Sequence, residues 1–298
     1  MIRLGLVDFD TSHAVEFTKR LNHVDIAEDQ WVEGARVVAG VPGTSQITPE
    51  RIPEYTAKMK EYGVPLFDDP AELVGKIDAV MIEAVDGSVH LERARPFLER
   101  GMPTYVDKPF ACSLADARAM VDLAHRTHAP LMSSSSLRYA PEVVAAQGGT
   151  DATGPIVGVA TYGPAPTHPR NPGLFHYGIH PVEILFTLMG AGCRRVVALS
   201  AEGADVVTGS WSDGRLASVR GIRKGRADYG FTVFGEKGVA TLGVGTQFIY
   251  RELLKNVVSM FETSKPPIDL RETLEIVAFI EAANRSMGSN GEPVEVTV

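Results

Sequence analysis

Residues 78–110 read DAVMIEAVDGSVHLERARPFLERGMPTYVDKPF. Residues 78–84 are a short apolar run. Residues 87–100 have helical spacing and Gly101 stops them, and 104–106 are a second β-rich run. Strand, helix and strand in so short a span predict a βαβ unit with parallel strands. The second strand runs straight into Asp107-Lys108-Pro109-Phe110. That is the carboxyl edge of the predicted sheet, where ligands of open α/β sheets bind. A lysine there can hold a substrate hydroxyl or carboxylate, or exchange a proton once desolvation lowers its pKa. Pro109 fixes the backbone beside it. Without a ligand, the same residues are a surface lysine before a turn proline.

The alternation extends in both directions. Toward the N-terminus stand a strand at 2–7, a helix from Ser12 to about Leu21, a strand at 35–41 ended by Pro42-Gly43, and a helix at 49–62 closed by Gly63. Toward the C-terminus follow a helix at 113–125 and a strand at 130–133. This predicts a Rossmann-like, doubly wound parallel sheet in a domain of residues 1–134. After Ser135 the pattern changes. Strand-like runs at 156–162, 195–201, 205–211, 215–222, 228–234 and 239–242 are joined by turns such as Ser212-Asp213-Gly214 and Gly235-Glu236-Lys237-Gly238. Such turns are antiparallel grammar. Residues 135–298 therefore read as an α+β domain with a largely antiparallel open sheet, flanked by helices at 175–189, 251–263 and 270–287.

At 298 residues the chain has room for about two domains. Its net charge of -8 argues against a nucleic-acid partner, which wants a basic face. No apolar run reaches the ~20 residues of a membrane span, and the N-terminus lacks the pattern of a signal peptide. Two cysteines, Cys112 and Cys193, are too few for a disulfide framework or a cysteine metal site. A cytoplasmic, reduced setting is expected.

A second candidate is His176-Tyr177-Gly178-Ile179-His180-Pro181-Val182-Glu183. On a helix His176, His180 and Glu183 would share a face. Neutral histidine is the usual general base near pH 7, and the same spacing could bind a metal. The bland alternative is two satisfied histidines at a domain boundary. Pro181 suits a first helical turn, so the helix starts near His180 and the shared face is less secure for His176.

The turn after the first strand reads Val7-Asp8-Phe9-Asp10-Thr11-Ser12-His13. A dinucleotide site wants Gly-x-Gly-x-x-Gly here, and Asp8, Asp10 and His13 stand at those three places. Two carboxylates would repel a pyrophosphate at a helix start that otherwise attracts anions. The second strand ends Gly40-Val41-Pro42, with no acid for a ribose hydroxyl. Asp8, Asp10 and His13 could instead form a small oxygen/nitrogen metal site, or serve as helix caps and local pairs.

Several segments together resemble the Gfo/Idh/MocA oxidoreductases, the glucose–fructose oxidoreductase and inositol dehydrogenase family. Asp107-Lys108-Pro109 resembles the family's Glu-Lys-Pro. His90 matches its usual histidine. Leu137-Arg138-Tyr139-Ala140-Pro141 resembles Asn-x-Arg-Tyr-x-Pro, and Gly178–Glu183 resembles Gly-x-His-x-x-Asp with glutamate for aspartate. Gly235-Glu236-Lys237-Gly238 and Lys265-Pro266-Pro267 match late landmarks. The resemblance implies NAD or NADP chemistry on a sugar or polyol, a homodimer or homotetramer built through the second sheet, and Lys108 with His180 as the catalytic pair. Hydride passes between substrate and nicotinamide while one of the pair takes the hydroxyl proton and the other orients the oxygen. Asp86, Arg138, His176 and Glu183 are the expected substrate contacts. The dinucleotide is expected against Asp8, Phe9, Asp10, Thr11, Ser12 and His13, with Val41, His90, Asp107, Lys108 and Pro109. This reading calls for no metal. The lost glycines and the absent ribose acid depart from the family pattern. They support a rival: a redox-silent member of the fold, either a binding protein or a metal-assisted lyase or hydrolase, that uses Asp8, Asp10 and His13 in place of the glycine loop.

Overall fold

The apolar runs of the first half form strands that alternate with helices: β1 (Ile2–Val7), α1 (Ser12–Asn22), β2 (Ala35–Val41), α2 (Arg51–Glu61), β3 (Ala79–Ile82), α3 (His90–Leu98), β4 (Thr104–Val106), α4 (Leu114–Thr127) and β5 (Leu131–Met132). The structure is a computed structural model that describes all 298 residues, Met1–Val298. The strands stand in the order β2-β1-β3-β4-β5 and all pair in parallel. Every residue of β3 and β4 is buried, as in strands covered on both faces. The chain order reverses at β1, between β2 and β3, which is the switch point where such sheets open a crevice beyond their carboxyl ends.

That edge has a defined register. Val7 pairs with Ile82, and Ile82 with Val106. The backbone ladder continues one residue further. Asp8 N–H donates to Val41 O at 2.9 Å, Glu83 N–H to Val7 O at 2.8 Å and Asp107 N–H to Ile82 O at 2.9 Å. Asp8, Glu83 and Asp107 are thereby set side by side across three strand ends.

The remaining elements are α5 (Pro141–Ala146), β6 (Ile156–Pro164), α6 (Ile179–Met189), β7 (Cys193–Ala201), β8 (Ala204–Trp211), β9 (Leu216–Ile222), β10 (Gly230–Gly235), β11 (Val239–Gly243), α7 (Ile249–Thr263), α8 (Leu270–Gly288) and β12 (Val294–Glu295). The chain forms two compact units. The first comprises Met1–Ala111, Ala115–Ser134 and Tyr250–Leu270; the second comprises Cys112–Leu114, Ser135–Ile249 and Arg271–Val298. The second unit's sheet has the order β11-β10-β6-β9-β8-β7-β12. Buried and exposed residues alternate along β7, β8 and β9, so one face is covered and one is open. α6 is buried at every residue and packs on β6 and β9. Its Phe186 ring lies 5.5 Å from Phe279 of α8 and 5.8 Å from Trp211. Leu199, Leu216, Phe234 and Val239 are exposed.

Three expectations change in detail. β6 and β9 pair in parallel inside the otherwise antiparallel sheet. The chain reaches β9 from β6 only after α6, β7 and β8, a crossover long enough for parallel pairing. The helix expected over 87–100 begins as a 3₁₀ turn, Gly87–Val89, because the Asp86 carboxylate caps Ser88 N–H, and α3 proper starts at His90. The helix expected from 175 is likewise divided. Gly173–Phe175 is a 3₁₀ turn and α6 starts at Ile179, which leaves Pro181 in the first turn. No helix is long and apolar enough to cross a membrane.

Candidate active site

The turn after β1 is filled by its own side chains. Asp8 is buried and sits at φ 69°, in the left-handed region. Glycine is at ease there and aspartate is one of the few other residues that tolerate it. Arg93 Nε donates to Asp8 Oδ2 at 3.2 Å. Burial pushes the Asp8 carboxyl up to about 7, with Arg93 opposing. A Cβ on Gly43 would collide with this carboxylate, so the loop after β2 needs glycine because the turn has an acid. Phe9 is fully buried, with its ring against Gly40, where an added Cβ would stand 2.5 Å from it. Asp10 accepts from Ser45 Oγ at 2.6 Å and Val85 N–H at 3.0 Å, and its carbonyl accepts from Thr48 Oγ1 at 2.7 Å. Burial raises the Asp10 pKa against those bonds. Thr11 caps α1 by accepting the His13 N–H at 3.3 Å. Ser12 opens that helix half-buried, and Val41 closes β2 in the core.

Asp8, Asp10 and His13 therefore do not gather into one site, contrary to the rival reading's expectation. Asp8 turns to Arg93 and Asp10 to Ser45 and Val85. His13, one turn into α1, points to the acids of other strands. Its Nδ1 lies 2.8 Å from Asp107 Oδ2 and 3.9 Å from Glu83 Oε2. Phe17 stacks on its ring at 4.7 Å and Tyr250 meets it edge-on at 5.0 Å. Lys108 Nζ is 3.8 Å from Asp107 Oδ2, and Tyr105 Oη donates to Asp107 Oδ1 at 3.3 Å. Burial works against the Asp107 carboxylate, but His13 and Lys108 outweigh it and hold the carboxyl well below its ordinary range. Glu83 goes the other way: burial, and then the neighbouring Asp107 charge, push it well up. Lys108 is 8% exposed, and the Lys108–Pro109 bond is cis. His90 is fully buried, with Nε2 2.8 Å from Ala84 O and Nδ1 3.2 Å from Phe110 O. It ties the end of β3 to the segment after Lys108. Asp86 caps the turn before His90 through Ser88 N–H and Oγ.

The second unit holds the other expected residues. His180, in the first turn of α6, is nearly buried, and its Nδ1 is 2.7 Å from Ser135 Oγ. Tyr177 and Tyr229 meet its ring at 5.8 and 5.6 Å. His176 lies outside α6, in the stretch after the 3₁₀ turn, 3.4 Å from Asn171 Nδ2. It does not share a helical face with His180. Arg138 donates to Glu183 at 2.9 Å and to Glu272 at 2.6 Å. Burial raises the Glu183 carboxyl, and Arg138 opposes it. Glu183 is thus the buried counter-ion of Arg138.

Sequence reasoning missed Glu83 and Ser135. Glu83 had a visible signal, a glutamate at the end of a run otherwise buried and apolar, since buried glutamate is rare without a partner. Ser135 had none, being one of four consecutive serines, Ser133–Ser136.

The turn after β1 lacks the open, glycine-lined cradle that usually receives a dinucleotide's pyrophosphate. Its interior holds the Phe9 ring and the Asp10 carboxylate, Asp8 is a second acid beside it, and Thr11 already takes an N–H at the start of α1. Anions at helix starts need free N–H groups and no competing negative charge.

Residues 35–135 match a family described as "Oxidoreductase family, NAD-binding Rossmann fold", GFO_IDH_MocA. A putative myo-inositol dehydrogenase from Sinorhizobium meliloti 1021 superposes with a TM-score of 0.82 at 20% identity, covering 100% of both chains. GenD2 from gentamicin A biosynthesis, solved with NAD, gives 0.80 at 18% identity over 100% of this chain and 97% of its own. Myo-inositol dehydrogenase from Lactobacillus casei, solved with NAD(H) and myo-inositol, gives 0.79 at 18% identity with the same coverage. The resemblance to the Gfo/Idh/MocA oxidoreductases therefore stands, on a match to the family's NAD-binding Rossmann segment over residues 35–135 and on a shared fold along the whole chain.

Proposed function

We propose that this chain is an oxidoreductase acting on a hydroxyl or carbonyl of a sugar- or polyol-like small molecule, with NAD or NADP as redox partner, and that Lys108 and His180 handle the proton. The observation that carries the reading is the placement of Lys108. It is a nearly buried ammonium just beyond β4, beside Asp107, inside the segment that matches the oxidoreductase family. A cation there donates hydrogen bonds to a substrate oxygen and stabilises charge developing on it. His180, its ring held by Ser135, offers an imidazole, the commonest general base of enzymes. It accepts the hydroxyl proton while Lys108 polarises the oxygen, or the two roles are exchanged. Asp86 and His176 are proposed substrate contacts. Arg138 and Glu183, engaged with each other and with Glu272, act by positioning. The net charge of -8 disfavours an anionic substrate and supports a neutral polyol, the class to which the myo-inositol of the L. casei neighbour belongs.

The test is oxidation of a polyol panel with NAD+ and NADP+. Lys108→Met and His180→Asn are each expected to lower kcat by about 10²–10⁴-fold. Retained turnover in either variant contradicts its role. A double-mutant loss no larger than the single losses supports action on one substrate. A second reading, favoured by the acids in the turn, is a redox-silent binding protein of the same fold. It requires polyol binding without any dinucleotide binding. For assembly we propose a homodimer or homotetramer formed through the second sheet's exposed apolar residues.

A further inference from the structure

We propose that His13, Glu83 and Asp107 bind a divalent transition-metal ion at the carboxyl edge of the parallel sheet. One ligand atom from each residue lies within 4.8 Å of the others. Donors held at ~2.1 Å around a tetrahedral ion stand roughly 3.4 Å apart. His13 Nδ1 is already 2.8 Å from Asp107 Oδ2 and 3.9 Å from Glu83 Oε2, so side-chain adjustments of about an ångström bring all three onto one ion.

The independent sign of a missing ligand is Glu83. It is completely buried, and neither carboxylate oxygen has a hydrogen-bond partner. Its backbone is pinned by the bond to Val7 O, so the side chain is carried into the cluster by the strand itself. Protonation does not resolve this, because a neutral carboxyl adds an O–H that needs an acceptor of its own. Buried carboxylates in proteins are paired, hydrogen-bonded or metal-bound. The nearby Lys108 ammonium reaches Asp107 at 3.8 Å and leaves both Glu83 oxygens without a bond.

The donor set selects the ion. One imidazole and two carboxylates suit Mn²⁺, Fe²⁺ or Zn²⁺ better than Ca²⁺, which wants six or more oxygens. Three protein ligands leave coordination positions open for water or a substrate hydroxyl. Supporting contacts surround the donors, as metal sites require: Tyr105 holds the second Asp107 oxygen, and Phe17 and Tyr250 fix the His13 ring. Glu83 and Asp107 are fully buried, while His13 and Lys108 keep 6% and 8% exposure.

The test is titration of chelator-treated full-length protein with MnCl₂ and with ZnCl₂, read by calorimetry, by Mn²⁺ paramagnetic resonance and by melting temperature. The expected result is one ion per chain, nitrogen coupling in the Mn²⁺ spectrum, and a rise in melting temperature. Glu83→Gln and His13→Gln should each weaken binding at least tenfold. Glu83→Leu removes the orphaned polar group and keeps an apolar fit, so it should melt no lower than the apo wild type and bind no ion. Absence of saturable binding of either metal to the wild type overturns the proposal. Undiminished binding by Glu83→Leu does the same.

Discussion

Asp8 concentrates the account at the scale of one residue. Its folded-state carboxyl lies near pH 7 because burial outweighs Arg93, against 3.8 for the free group. The folded protein therefore holds more protons than the unfolded chain between those values. The stability associated with Asp8 is full below about pH 4 and lost as pH rises to 7. Asp8→Asn keeps a residue that tolerates φ 69° and removes the titration. Measured by urea unfolding, the stability of this variant relative to wild type should rise by about 3 kcal/mol between pH 5 and pH 8. A difference that stays flat with pH contradicts the buried-acid assignment. The acids also show what was legible in the sequence. Each of three apolar strands is followed at once by an acid, Val7-Asp8, Ile82-Glu83 and Val106-Asp107. Their alignment depends on strand order and register, which no local spacing encodes. Read locally, Asp8 and Asp107 stand out one at a time, and Glu83 passes for part of its strand.

Among the elements, α6 shows how helix placement turns into site geometry. Pro181 in its first turn fixes where the helix begins, puts His180 beside Ser135 and leaves His176 outside. That start was readable from proline chemistry alone. The role of Glu183 was not, because its partner Arg138 lies 45 residues away along the chain, and the other acid on Arg138, Glu272, lies 134 residues from that arginine. Removing one member of a buried ion pair leaves its counter-charge stranded. Arg138→Ala should therefore destabilise the protein by about 3 kcal/mol at pH 7, measured by urea unfolding. A loss below about 1 kcal/mol would mean that Glu183 finds another partner or is neutral there. The parallel β6–β9 pair was equally hidden, since turn chemistry identifies hairpins and says nothing of strands joined by a long crossover.

At the scale of the whole molecule, both sheets were legible as period and punctuation: strand–helix alternation to about Ser135, then strand–turn–strand. The open face of the second sheet follows from alternation along β7, β8 and β9. If a second copy covers that face, Leu199→Glu combined with Leu216→Glu should convert a dimer or tetramer to a monomer by light scattering at micromolar concentration. A wild type that is already monomeric excludes the assembly. The central claim is that the family's redox partner works with this chain although its turn carries acids in place of glycines. Calorimetry with NAD+, NADP+ and their reduced forms, on wild type and on Asp8→Gly with Asp10→Gly, tests it most directly. The account predicts saturable binding of at least one dinucleotide to the wild type, tightened about tenfold or more in the double variant as two acids leave the phosphate approach. Absence of saturable binding of any of the four to the wild type would contradict it.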